Sequence, residues 1–391
     1  MFSLFKRKQD PLKAGLIKTK NFSKRVHFRN DGGLILIDIT IAKKAYTFML
    51  DTGAFSVVPS SLLDTTLLTQ YDESIQTLDA SGHTQEKALY RLQRLEVSGV
   101  IFEGFSVIVD DFSQHFPLSC LKFDGILGYN FLQNIILNID YKNSLINLSD
   151  RLIQPDSFEL IKMRSSKTGA LEFRLHINKK DYWVGLDSGK NDGLMIGDEK
   201  LIKTLQKKDA FLERTTGAFS SDFSGINQHS FIDKYLLEDF SIDKKIPIKS
   251  YLLFYEKNSL NIVGNEFLAN FNVTIDFRKK RLYLKALKKE INEKHKKSFG
   301  FLTFWSEDKK LFISAITQDT PAYHSKLKIG DRIMSINELD CLNFTKGMYC
   351  KYFLLSNKNI FYKEDESKLN IIVKRESKLL RITLELEKES R

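Results

Sequence analysis

Two short stretches place a carboxylate where chemistry could be done. Phe48-Met49-Leu50 runs into Asp51-Thr52-Gly53-Ala54, and Trp183-Val184-Gly185-Leu186 runs into Asp187-Ser188-Gly189. Each is a β-like, largely apolar run that ends on an aspartate followed by a hydroxyl residue and a glycine. Holding a carboxylate at a buried rim is unfavourable unless neighbours compensate it. Either stretch taken alone is also an ordinary turn, since Asp caps turns and Gly accepts positive φ. Brought together, the two would behave differently, because like charges a few ångströms apart cannot both form and one carboxyl keeps its proton. Such a pair puts a general base and a general acid in one small space, enough to deprotonate a water and protonate a leaving nitrogen.

The elements that must position these residues occur twice. Leu175 to Gly189 lies over Ile39 to Gly53 without a gap, sharing the alternation, a lysine-containing turn, a tyrosine and the terminal Asp-(Thr/Ser)-Gly, at a spacing of 136 residues. A second anchor keeps the same spacing. Ile126-Leu127-Gly128-Tyr129-Asn130-Phe131-Leu132, followed by Ile139-Asp140-Tyr141, corresponds to Ile262-Val263-Gly264-Asn265-Glu266-Phe267-Leu268, followed by Ile275-Asp276-Phe277. Two separated anchors with one interval imply two copies of one unit. Alternation from Leu34 predicts a β-hairpin ending at Asp51. Between the anchors the copies diverge, and Lys190-Asn191-Asp192-Gly193 reads as a short insertion with a compensating deletion further on.

A unit duplicated around Asp-(Thr/Ser)-Gly resembles the aspartic proteases, and the compact copies and the Asp-Thr-Gly-Ala form resemble the retropepsin side of that family. The resemblance covers roughly residues 31 to 285 and implies an endopeptidase in which Asp51 and Asp187 bind the lytic water, without metal, cofactor or covalent intermediate. It implies that the hydroxyls of Thr52 and Ser188 interlock across the interface. Gly53 and Gly189 would allow close approach of the two loops, and Gly128 and Gly264 would pack beside them. A covering flap is expected about thirty residues past each aspartate, at Ser81-Gly82 and at Gly217-Ala218, although both sites could be plain hairpin turns. Lys190 departs from the family, which has a small or hydroxylic residue there. If its ammonium points to solvent the pair survives; if it pairs with Asp187 the second half-site is structural only and the protein is a non-catalytic peptide-binding scaffold.

Ser298-Phe299-Gly300-Phe301 and Leu327-Lys328-Ile329-Gly330-Asp331-Arg332-Ile333-Met334-Ser335-Ile336-Asn337 open a third unit that is similar to a PDZ domain of the bacterial type. The similarity implies that Phe299, Gly300 and Phe301 form the loop whose backbone N–H groups receive the carboxylate of an extended peptide. Ser325-Lys326 departs from the Ala-Gly usual in that family, and a small structural β domain is the alternative.

The expected fold is mainly β: two tandem retropepsin-like lobes in a pseudo-two-fold bilobal domain, then a PDZ-like β-rich domain with helices. The expected divisions are a basic N-terminal extension (1–30), lobe 1 (31–150), lobe 2 (151–285), a charged linker or short solvated helix (286–297) and the PDZ-like domain (298–391). A chain of 391 residues is long enough for two or three such units. Its net charge of +11 is spread lysine, with no nucleic-acid motif beside it, so peptides or unfolded proteins, and a C-terminal peptide at the third unit, are the expected partners. The oligomeric state is open, since a chain holding both halves can work as a monomer. Three scattered cysteines suggest neither a disulfide framework nor a metal site. The seven histidines show no HxxxH spacing, and no run is long and apolar enough for a signal peptide or membrane helix, so a cytoplasmic location is expected.

Overall fold

The computed structural model describes residues 11–78, 84–152, 157–166, 170–222, 225–257, 259–354 and 366–386. The first β unit begins with β1 (Leu16–Ile17), β2 (Ser23–His27) and β3 (Arg29–Asp31). It continues through β4 (Leu34–Ile41), β5 (Lys44–Leu50), β6 (Val57–Pro59), β7 (Leu68–Leu78), β8 (Thr84–Val97) and β9 (Val100–Asp110). It ends with β10 (Gly125–Leu127), the one-turn helix α1 (Tyr129–Leu132), β11 (Ile136–Asp140) and β12 (Leu145–Ser149). Strands β9, β6, β10, β5, β4 and β8 are bonded in that order, and β8 pairs back onto β9, which closes the sheet into a barrel. The predicted hairpin is β4–β5. Its turn residues Ala42 and Lys43 both have positive φ, the backbone that matches strand twist in a two-residue turn.

The second unit repeats this order with β13 (Glu159–Lys162), β14 (Arg164–Ser165), β15 (Leu171–Ile177), β16 (Lys180–Leu186) and β17 (Leu194–Met195). There follow helix α2 (Glu199–Gln206), β18 (Phe211–Asp222), β19 (Gly225–Ile242), β20 (Ile246–Tyr255), β21 (Ile262–Val263), α3 (Asn265–Leu268), β22 (Phe271–Asp276) and β23 (Arg281–Ala286). The β15–β16 turn, Asn178-Lys179, has the same pair of positive φ values. The short insertion expected at Lys190 to Gly193 is visible in the strand register: Ile126 pairs with Val57, whereas Ile262, its counterpart, pairs with Met195, two residues beyond the 136-residue interval. Most of the added residues form α2, and the compensating shortening lies between β20 and β21, where the first unit carries 112–121. An amphipathic helix with Leu201, Ile202 and Leu205 buried is an addition the core can absorb.

A six-stranded sheet joins the two units in the order β13-β23-β22-β11-β12-β2. At its centre Asn138 lies opposite Thr274, and the Asn138 amide donates to the Thr274 hydroxyl at 2.8 Å. The sheet also corrects the expectation for the basic N-terminal extension. From residue 11 onward it is part of the fold: β1 pairs with β9, β2 forms an edge of the joining sheet, β3 pairs with β4, and Phe22 and Phe28 are buried. Lys24 and Arg25 of β2 are exposed, charge that an edge strand can carry outward.

The C-terminal unit contains β24 (Phe301–Ser306), β25 (Lys310–Thr317), α4 (Pro321–His324), β26 (Arg332–Ile336), β27 (Leu339–Asp340), α5 (Lys346–Phe353), β28 (Lys368–Arg375) and β29 (Lys378–Glu385). It has its own core, including Phe299, Leu311, Ile313, Ile333, Phe344 and Leu369. It touches both β units. Strand β25 pairs antiparallel with β18, Thr215 to Thr317 and Gly217 to Ala315. On the other side a disulfide joins Cys120 to Cys350 of α5, so these two cysteines are paired, contrary to the sequence expectation; Cys341 is free and buried. The connecting stretch 286–297 is no solvated helix. Ile291 is buried, its carbonyl accepts from the Lys249 and Ser250 amides, and Ser250 bridges to Asn292. One apolar side chain in a charged run suffices to pin it to β20. Among the described residues no helix is long and apolar enough to cross a membrane.

Candidate active site

Strands β5 and β16 end on Asp51 and Asp187, and each is held by a parallel neighbour, β10 and β21 respectively. The Asp51 amide donates to the Leu127 carbonyl and the Asp187 amide to the Val263 carbonyl. Gly128 and Gly264 follow directly, and each lies against the opposite side of its loop. A Cβ at Gly128 would stand 2.3 Å from the Ala54 carbonyl oxygen, and one at Gly264 2.3 Å from that of Asp192. The two apolar-apolar-Gly anchors therefore wedge the loops from behind.

The loops interlock. The Thr52 hydroxyl donates to the Leu186 carbonyl at 2.8 Å and accepts from the Ser188 amide at 3.0 Å. Reciprocally, the Ser188 hydroxyl donates to the Leu50 carbonyl at 2.8 Å and accepts from the Thr52 amide at 3.1 Å. Thr52 and Ser188 are buried, so every donor and acceptor in this grip needs the partner loop. Gly53 and Gly189 face the opposing carboxylates. A Cβ at Gly189 would lie 2.1 Å from Asp51 Oδ2, and one at Gly53 3.1 Å from Asp187 Oδ1, which leaves no room for a side chain between the loops.

The two carboxyls form a coupled pair. Asp51 Oδ1 accepts from the Gly53 and Ala54 amides at 2.8 and 2.9 Å, which leaves Oδ2 for Asp187. Burial first, then the charge of Asp187, raise the Asp51 carboxyl to about 8. Burial raises Asp187 as well, but the Gly189 amide and the Lys190 cation oppose it. Asp51 is buried, at 7% exposed, whereas Asp187 is partly open to solvent. The proton shared by the pair is thus better seated on Asp51, and the charge on Asp187.

Lys190 neither points freely to solvent nor bonds to Asp187. Its ammonium pairs with Asp192 at 2.8 Å and is 22% exposed on its side chain. At the 136-residue interval Lys190 stands at the place of Ala54, the Asn265 amide donating to its carbonyl as the Tyr129 amide does to that of Ala54, and Glu266 stands at the place of Asn130. Asp192 lies in the two-residue excess that follows. In the first unit Ser56 and Asn130 form a neutral buried network, with the Ser56 amide and hydroxyl donating to Asn130 Oδ1 and the Gly128 amide to Ser56 Oγ. The second unit replaces it with two carboxylates and a compensating lysine. Burial, with Glu293 and Asp192 nearby, raises Glu266 to about 7. A further contact absent from the sequence reading is the Gly32-Gly33 turn of the first unit. The Asn191 and Asn265 amides donate to its two carbonyls, and Asn265 also donates to the Ser188 carbonyl.

Other expected site residues are dispersed. Ser81 and Gly82 lie outside the described residues. Gly217 and Ala218 are within β18, which runs on to Asp222, and Gly217 lies against Ala315 of β25. Phe299, Gly300 and Phe301 lead into β24. The Phe299 and Gly300 carbonyls accept from the Ala322 and Thr317 amides, and the Phe299 and Phe301 rings are buried in the C-terminal core.

No curated protein matches the chain. Residues 37–131 match the protein-family model described as aspartyl protease. This stretch runs from within β4 through α1 and includes Asp51, Gly128 and the support behind them; the chain carries an aspartyl protease domain there.

Proposed function

We propose that the chain is an aspartic endopeptidase built from two tandem lobes related by a pseudo-two-fold axis, with Asp51 and Asp187 as its catalytic pair. The observation that carries this is the reciprocal Thr52–Ser188 grip, which holds one aspartate from each unit against the other at the seam. In the proposed cycle Asp187, the charged member, takes a proton from a water as its oxygen attacks the scissile carbonyl carbon. Asp51 donates its proton to the carbonyl oxygen, giving a neutral tetrahedral diol. Collapse of the diol breaks the C–N bond, with the proton on Asp187 passing to the nitrogen and a diol proton returning to Asp51. The buried rim strengthens these transfers by excluding competing water. The β7–β8 and β18–β19 hairpins are the proposed covers of the cleft, and the C-terminal unit is proposed to be a PDZ-type module that takes a peptide C-terminus at the Phe299-Gly300-Phe301 loop.

The test is cleavage of an unstructured peptide library, read by mass spectrometry. Asp51→Asn and Asp187→Asn should each reduce turnover at least ~100-fold, the lower range for losing an acid–base group, while both variants remain folded and, near pH 4, Asp51→Asn melts close to the parent. Full turnover in either variant would sink the two-carboxylate mechanism. Absence of turnover in the parent, with retained binding of a statine-type transition-state analogue, would instead favour a non-catalytic peptide-binding scaffold. Lys190 is the observation that favours this second possibility, because a cation near Asp187 disfavours proton sharing.

A further inference from the structure

We infer that segment 112–121 of the first β unit is a resident ligand of the C-terminal unit, seated between β24 and α5 and locked there by Cys120–Cys350, so that a dithiol reductant gates access of external peptides to that groove; the inference rests on the peptide-binding function proposed for this unit.

Among the described pairings β24 is bonded on one side only, to β25, and α5 packs beside it. Phe116 enters between the two. Its ring centroid lies 5.4 Å from Phe304 and 5.5 Å from Trp305 on β24, and 5.4 Å from Tyr349 on α5, with the Lys346 ammonium 5.2 Å away over its face. One aromatic side chain thus touches both walls, as an anchor residue of a bound peptide would, on a segment that is coiled into 3-10 turns at Phe112–Gln114 and Leu118–Leu121. The segment is rooted elsewhere: Phe112 is buried in the first unit against Phe123, and Asp111 accepts from the Ser113 amide to start its turn. The second unit is shorter at the equivalent place, between β20 and β21, so the segment is an addition to one copy that reaches the third unit.

Four residues past Phe116, Cys120 is bonded to Cys350 on α5 itself. The covalent tie keeps the segment at high effective concentration beside the groove, on the order of millimolar for a short tether, which an external peptide must overcome. Opening it is a two-electron exchange: a dithiol attacks one sulfur, a mixed disulfide forms, and the second thiol resolves it. Cys120 and Cys350 each end as thiols with one proton, and the reductant ends as its own disulfide. Such bonds persist in oxidising compartments and open in reducing ones, so the groove would be closed in the first and available in the second.

The test uses the full chain and two fluorescent probes read by anisotropy. The first is a synthetic peptide of residues 111–119; the second is an eight-residue peptide ending in valine, as free carboxylate and as amide. With the self-peptide, reduction should tighten binding at least ~10-fold, as expected for loss of a tether. The Cys120→Ser/Cys350→Ser variant should bind like the reduced parent, and adding Phe116→Ala to it should tighten binding further. Replacing Phe116 by Ala in the probe should abolish binding. Equal binding of both probes with and without reductant overturns the gate. If the carboxylate probe binds in preference to its amide yet ignores the redox state, peptide capture stands and the gate falls. If self-peptide binding is redox-dependent but the carboxylate is immaterial, the gate stands and C-terminal capture falls. No binding of either probe to any form overturns both.

Discussion

Asp51 and Asp187 carry the same tripeptide chemistry in unequal surroundings, and the inequality predicts pH behaviour. The Asp51 carboxyl is raised by burial and by Asp187 to about 8, against 3.8 for an ordinary aspartate. The folded protein therefore holds this proton more tightly than the unfolded chain. Stability linked to it is fully present below about pH 4 and is lost as pH rises through about 8. Asp51→Asn cannot lose it, so the stability gap between this variant and the parent should widen across that window, by at most ~1.4 kcal/mol per pH unit. A gap that does not change with pH would contradict the buried, protonated assignment. Lys190 acts on the other carboxyl. Its charge lowers Asp187, so Lys190→Met should raise Asp187 and move the acidic limb of the cleavage profile to higher pH. Because Asp192 loses its partner in that variant, the cleaner comparison is Lys190→Ala with Asp192→Ser, which removes the cation and its carboxylate together. An acidic limb unmoved in both variants would show that Lys190 does not reach the pair.

The pairing of β18 with β25 ties the second long hairpin to the C-terminal unit. Gly217 lies tight against the partner strand: its φ is +123°, and a Cβ would stand 2.3 Å from the Ser314 carbonyl oxygen. Gly217→Val should therefore separate β25 from β18, at about 1–3 kcal/mol of local strain, and speed amide exchange at Thr215 to Gly217 and Ala315 to Thr317. Unchanged exchange there would mean the strands part without consequence. This pairing also marks the limit of what the sequence could convey. The β4–β5 and β15–β16 hairpins were legible because alternation and a lysine-containing turn are local signals, and their 136-residue repeat placed both aspartates. An interlock of the Thr52 and Ser188 hydroxyls was implied by the family resemblance alone, and in the structure each hydroxyl bonds to the opposite loop. By contrast, the insertion at Lys190 to Gly193 is present in the strand register, but the larger addition, helix α2, left no signal because the shorter β20–β21 connection compensates it. Strands β1 and β2 and Ile291 were missed for another reason: edge strands and single apolar pins carry little periodicity, and the partners lie at least 85 residues away for the strands and about forty for Ile291.

At the scale of the whole molecule, the C-terminal unit is a brace across the two β units. It holds the second through β25 on β18 and the first through Cys120–Cys350, with the Gly32 amide also donating to the Leu354 carbonyl at the end of α5. Gly32 belongs to the turn that receives Asn191, the neighbour of Lys190, so the end of α5 and the second aspartate loop share one support. Reduction should then have two separable effects. The bond closes a loop of 230 residues, and losing it should lower unfolding free energy by about 2–4 kcal/mol, read as a shift of the denaturant midpoint. The Cys120→Ser/Cys350→Ser variant should show the lower midpoint with and without reductant. If the brace also orders the aspartate loop, reduction should lower kcat for a short peptide that is too small to reach the third unit, at temperatures where the chain remains folded. A fall in stability with unchanged short-peptide kcat would confine the brace to holding the units together. An unchanged midpoint on reduction would mean that the β25–β18 pairing and the Phe116 contacts already bear the full connection, because a cross-link stabilises only by restricting freedom that the unfolded chain would otherwise regain.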